Sequence, residues 1–278
     1  MINIEGKRIF FDGKYRTIRL GQAIDPDFQL VLDYAVTEAI TIPNRNGRQA
    51  MSRFFKDMKD ADLFDILDIM LNSTWNDVGL LNFAKLDLKR VGTQTTFNGG
   101  FTYAVRGFQG DGINAYWDYN YNPAVNGVNF TLNDAGKLLV MTKIENVRIG
   151  NDWDGLVSGV QNRTSPLITG AGTTPIRLNQ GTTNIDGIGT PIYIGSLGVA
   201  RPDSATMKVF NNASEFTSLT ASTSVPNSGA CGLRTASIYT NSTLGFVAHG
   251  ASFTFAQYQL FKIAYNRFLS SIGLPNLA

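Results

Sequence analysis

Between roughly residues 80 and 250, apolar and aromatic runs are short, and each is cut off by Gly, Asn, Pro or Ser before it reaches helical length. The clearest runs are Phe101–Val105, Ala115–Tyr119, Lys137–Met141, Pro191–Ile194, Met207–Phe210, Ser237–Tyr239 and Leu244–Ala248. Strands at this density with turn chemistry between them predict an antiparallel sandwich or jelly roll. No fixed period links them, which argues against propellers and solenoids. The stretch Ser158–Gly189, rich in Thr, Gly and Asn, is expected to supply long surface loops.

Two helices frame this region. Asn46 is placed as an N-cap with Gln49 three residues later, and Met51, Phe54, Phe55 and Met58 form an i, i+3, i+4, i+7 stripe. Leu67, Ile69 and Leu71 then alternate with Asp68 and Met70, and Leu80–Phe83 follows, so strands are expected from here on. At the other end Thr254 and Gln257 make a capping box. Tyr258, Phe261, Ala264, Tyr265, Phe268 and Leu269 make a broad apolar face, and Gly273 and Pro275 stop the helix. Such a face requires cover, either from the sandwich or from the first helix.

Residues 1–44 are expected to form a separate attachment segment, leaving 45–278 as the main domain. Arg8–Phe11 and Tyr15–Ile18 flank Asp12-Gly13, a pair that favours a tight hairpin turn. Two strands alone rarely stay folded in water, so this hairpin is expected to pack on the domain or on another protein.

Composition closes several routes. The chain carries 17% charged residues and a net charge of +2, with no basic run interleaved with aromatics, so nucleic acid is not an expected partner. No stretch approaches a membrane span, and the N-terminus lacks a signal-peptide layout, so folding in a cytoplasm is expected. The single cysteine, Cys231, forms no intrachain disulfide and reads as a small buried residue. The lone histidine, His249, sits without a nucleophile elbow, and one His with one Cys is a poor zinc set. Glu5, Glu38, Glu145 and Glu215 are scattered with no close pair for glycoside hydrolysis. No catalytic residues and no cofactor are assigned. Asn151, Asp152 and Asp154 place three oxygen ligands in one turn, either an incomplete calcium site or an Asx-rich turn bonding its own backbone. For a sugar, the candidates are Trp153, Asp111 and Trp117.

Three stretches carry a family resemblance. Gly107-Phe108-Gln109-Gly110-Asp111-Gly112, continuing through Tyr116 and Asn120 to Asn122-Pro123, resembles a signature of phage and prophage virion proteins. These carry a concanavalin A-like, or LamG-like, jelly-roll domain. Gly198-Val199-Ala200-Arg201, followed by Met207-Lys208-Val209-Phe210-Asn211-Asn212, is similar to that family's hairpin segment. Leu244 through Thr254 with the capped helix looks like its closing strand and terminal helix. Trp117 and Asn212 depart from the pattern. The resemblance spans about residues 45–274 and implies a mainly β jelly-roll sandwich with an N-terminal hairpin, one helix before it and one C-terminal helix packed on it. It further implies a non-enzymatic virion component, assembled in the host cytoplasm, that contacts other virion proteins through residues 1–44 and forms a homo-oligomer. A glycan-binding module for host surface polysaccharide is the alternative.

Overall fold

The computed structural model describes residues 8–11, 14–17, 23–143, 154–156, 162–164, 173–174, 176–179, 185–186, 195–211, 214–235 and 238–277. It is a mainly β, antiparallel sandwich with a helical layer packed on one outer face. The larger sheet has the order Ser214–Leu219, Thr206–Asn211, Gly195–Arg201, Ala135–Lys143, Thr243–Gly250, Gly107–Gln109, Thr102–Ala104. The second has the order Ile176–Leu178, Asn162–Thr164, Asp154–Leu156, Ala230–Gly232, Tyr116–Asp118, Thr96–Asn98.

The larger sheet is the middle of three layers, which is why its central strands are apolar on both faces. In Ala135–Lys143 only the last residue is exposed. Leu138 and Val140 face the helices with Phe246 and Ala248, whereas Leu139 and Met141 face the second sheet with Val247, Leu197 and Val199. Strand Thr243–Gly250 has Ala135–Lys143 on one side. Its other side is shared, Leu67–Asn72 along one half and Gly107–Gln109 along the other. Ser73 closes the gap between these two partners. Its N–H donates to Gly245 O (2.9 Å), its hydroxyl donates to Leu244 O (2.7 Å), and Phe108 N donates back to that hydroxyl (3.3 Å). Gly107 sits at this junction with φ 139°, and a Cβ there runs into the Leu244 carbonyl, so glycine is required.

The helical layer holds α1 (Pro26–Thr37), α2 (Arg45–Asp60) and α4 (Phe255–Ser271), while α3 (Pro123–Asn126) is a single turn in a loop. Thr254 and Gln257 form the expected capping box, and the six expected side chains of α4 are buried. That helix lies against the sheet and beside α2, where Phe54 meets Phe246, Phe261, Tyr265 and Phe268 at ring separations of 5.8–6.4 Å. Gly198 lets it come close, since a Cβ there would press on Tyr258, Phe210 and Phe253.

The structure corrects four expectations. The cap of α2 is Asn44, not Asn46: its side chain accepts from Gly47 N (3.0 Å), and the helix begins at Arg45. Leu80–Phe83 is not a strand, because Asp77 caps a 3-10 turn at Val78–Leu80 and another follows at Phe83–Lys85. Within Ser158–Gly189 the described residues include short strands at Asn162–Thr164, Thr173–Thr174, Ile176–Leu178 and Ile185–Asp186, where loops alone were expected; most of the rest of that stretch, and Pro191–Ile194, lie outside the described residues. The largest change concerns residues 1–44. The two strands Arg8–Phe11 and Lys14–Thr17 do pair antiparallel, but α1, inside the same span, belongs to the main core. Asp25 caps it, Pro26 opens it, and Phe28, Val31, Leu32 and Ala35 are buried with Phe55 and Phe83. Asp25 also accepts from Lys59 Nζ (2.8 Å), fastening α1 to α2.

Candidate functional site

The Gly107–Pro123 stretch contributes both a core and a surface. On strand Tyr116–Asp118, alternate side chains face opposite ways. Trp117 turns inward and is fully buried; its indole donates to Thr95 Oγ1 (2.7 Å), and its rings pack on Phe97 (5.2 Å) and Tyr119 (5.5 Å). It presents no face to a sugar, which removes it as a glycan contact. Tyr116 turns outward and is half-buried. The Arg234 guanidinium lies 4.5 Å from its ring centroid and 5.3 Å from that of Tyr239, also half-buried. This places a cation between two partly exposed tyrosines on the described surface.

Asp111, a candidate sugar contact, is spent on its own loop. One carboxylate oxygen accepts from Ile113 N, Asn114 N and Ala115 N at 2.8–2.9 Å. Burial acts to raise its pKa, but the amide hydrogen bonds from Ile113, Ala115 and Asn114 prevail and hold the carboxyl below its ordinary value.

Two buried carboxylates do similar work. Asp68 accepts from Tyr121 Oη (2.9 Å), Val128 N (3.2 Å), Asn129 N (2.8 Å) and Phe130 N (2.9 Å). Burial in this site pushes the Tyr121 phenol well above its usual range, with the Asp68 charge adding to the effect. Asp87 accepts from Met70 N (3.2 Å), Lys89 N (2.9 Å), Arg90 N (3.2 Å) and Arg90 Nε (2.6 Å). His249 is buried in the strand face against Tyr119, Tyr121 and Phe130. Cys231 is buried as expected, with its thiol donating to Arg234 O (3.6 Å).

Of the proposed calcium turn, Asn151, Asp152 and the neighbouring Trp153 lie outside the described residues. Asp154 opens a strand and pairs with Thr164 and Gly232. Among the described residues no group of three or more His, Cys, Asp or Glu side chains is placed to hold a metal ion. No described helix is long and apolar enough to cross a membrane.

The helical layer has a second exposed feature. Leu260 and Ile263 on α4 are about half exposed and, with Ala61, Asp57, Asp60 and Arg267, line a shallow groove of about 140 Å³. Leu30 and Val36 stand out from α1.

No family model and no curated protein matches the chain. Among solved structures it is similar to domain 4 of AbnA, a GH43 extracellular arabinanase from Geobacillus stearothermophilus, in complex with arabinotriose. The identity is 14% and the TM-score 0.46, covering 71% of this chain and 98% of that domain. A mutant Trypanosoma rangeli sialidase displaying trans-sialidase activity is similar at 10% identity and TM-score 0.46, covering 81% of this chain. The chain spans only 40% of that sialidase. A protein of unknown function from Shewanella oneidensis MR-1, SO2946, gives 10% identity and TM-score 0.39, covering 67% and 87% of the two chains. The class that the fold defines is a helix-backed antiparallel β-sandwich.

Proposed function

We infer that the chain is a non-enzymatic structural component of a bacteriophage particle, acting through protein–protein contact and present as a homo-oligomer. The observation that supports the non-enzymatic part is the use made of the organised carboxylates. Asp68, Asp87 and Asp111 are each filled by backbone amides, so their charge fastens loops and is not turned toward an open cleft. The particle assignment rests on the resemblance over residues 45–274, and the attachment element is narrowed to residues 1–22, since α1 is part of the core. Antibody raised against the folded chain provides the test. In a density gradient of particles from the encoding strain, the chain is expected to co-migrate with particles in stoichiometric amount, and a truncation lacking residues 1–22 is expected to stay behind as folded, free protein. Particles devoid of the chain would sink the reading.

A second reading, glycan binding, is favoured by the Tyr116–Arg234–Tyr239 cluster. Sugar rings present C–H faces to aromatics and hydroxyls to a guanidinium. A glycan array probed with the wild type and Tyr116→Ala decides it: binding lost in the variant supports a sugar site, and an array without hits removes it.

A further inference from the structure

Strand Ser214–Leu219 ends the larger sheet, and among the described residues nothing pairs with its outer edge. Free edges invite pairing with other chains, and proteins usually blunt them with charged side chains, Pro, a bulge, a covering element or extreme shortness. Among the described residues, one charged side chain is the only such device on this strand. The strand is six residues long, contains neither Lys nor Pro, and keeps an unbroken register with Thr206–Asn211. Its one charge, Glu215, is neutralised by Lys208 Nζ at 2.6 Å on the adjoining strand. Ser214, Glu215, Thr217 and Leu219 are exposed, and Leu219, at 86%, is the most exposed large apolar side chain among those described.

The hydrogen-bond phase says which groups are offered. Thr220 N donates to Ala205 O (2.8 Å), so Thr220 and Ala205 form a hydrogen-bonded pair. Such pairs recur every second residue, so Ser218, Phe216 and Ser214 point their backbone groups inward, while Leu219, Thr217 and Glu215 point theirs outward.

The geometry points to a second copy of this chain as the occupant, added antiparallel across a two-fold axis through Thr217. Only outward-facing residues can exchange bonds across the new edge. On this axis Thr217 therefore meets Thr217 of the other copy, and Glu215 meets Leu219. Charge decides for a self-pair: the strand is neutral once Lys208 is counted, no like charges stand opposite, and a Thr–Thr pair is favourable. The exposed Leu219 then covers the aliphatic stem of Glu215, whose carboxylate is already turned toward Lys208. The two sheets become one continuous sheet through an isologous interface.

The test uses the isolated full chain, so its outcome is separate from that of the particle reading. Sedimentation equilibrium at tens of micromolar chain is expected to show a reversible dimer. Thr217→Pro removes an N–H that the intramolecular ladder does not use, and it should weaken the dimer at least about tenfold with the melting temperature retained. If that variant does not fold, Leu219→Lys, a change at an exposed site, replaces it with the same expectation. Register is read by oxidation. Thr217→Cys places two Cα atoms ~5.5 Å apart, inside the disulfide range, whereas Glu215→Cys leaves them ~14 Å apart. Rapid cross-linking of the first and slow cross-linking of the second supports the axis; the native Cys231 is buried and does not compete. A wild type that stays monomeric, a folded edge variant that dimerises as tightly as wild type, or equal cross-linking rates overturn the proposal.

Discussion

At the scale of single residues, the carboxylates decide how the loops sit. Asp68 is the most heavily committed, with three amides and the Tyr121 hydroxyl converging on its two oxygens inside the sandwich. Asp68→Ala leaves these donors buried and unpaired. Each unsatisfied donor costs about 1–3 kcal/mol, and loop relaxation recovers part, so a net loss of about 3 kcal/mol is expected in urea unfolding. Asp111 gives a pH-dependent counterpart. Its folded pKa is held below 3.8, so its contribution is complete above that value and is lost as pH falls through the folded pKa. Asp111→Asn keeps the acceptor oxygen and removes the charge. The variant should be less stable than wild type at neutral pH, and the two urea midpoints should converge below pH 3.8. A gap that persists unchanged at low pH excludes the charge as the cause.

At the scale of elements, legibility followed locality. Helix α4 was readable end to end because its signals sit within one turn of each other: Thr254 and Gln257 close the box, the aromatic face repeats at helical spacing, and Gly273 stops it with φ 79°. Thr254→Ala is therefore expected to cost about 1 kcal/mol, with Thr254→Ser restoring most of it, as measured by thermal unfolding. Helix α1 has as good a cap and stripe, yet Leu30 and Val36 put apolar side chains on its outer face as well. That blurs the helical periodicity, so in the sequence the neighbouring Asp12-Gly13 hairpin is the stronger local signal of this span. For α2, Asn44 and Asn46 are chemically equal caps; only the bond to Gly47 N tells them apart. The same limit governed the surface. Alternation along Tyr116–Asp118 says that Tyr116 and Trp117 face opposite ways but not which is inside. The answer comes from the opposed sheet, where Phe108 meets Trp117, and from Phe97 on the neighbouring strand, whose ring turns to the same side. Arg234, more than a hundred residues along the chain, had no local signal tying it to Tyr116.

At the scale of the whole molecule, one sheet serves two cores. Its helix-facing side chains join α1, α2 and α4, its other side joins the second sheet, and the same strands carry both. A disturbance in either core shifts the backbone on which the other rests, so the layers are expected to unfold together. Two tryptophans sit in the right places to check this. Trp75 lies in the helix-facing core against Phe83 and Phe268, and Trp117 lies between the sheets. With Trp153 and one of the pair changed to Phe, each remaining indole reports one core, and the two fluorescence transitions should share a midpoint in urea. The truncations then separate attachment from architecture. On the reading that residues 1–22 serve attachment, removing them should leave that shared midpoint unchanged. Removing residues 1–42 takes Phe28, Val31, Leu32 and Ala35 out of the core. Truncating one large buried apolar side chain costs about 2–5 kcal/mol, so losing a whole helix face should exceed what a domain of this size holds in reserve. The longer truncation is accordingly expected to fail both indole probes at once. If Trp117 keeps its folded signal while Trp75 loses its own, the two cores are independent and the middle sheet does not couple them.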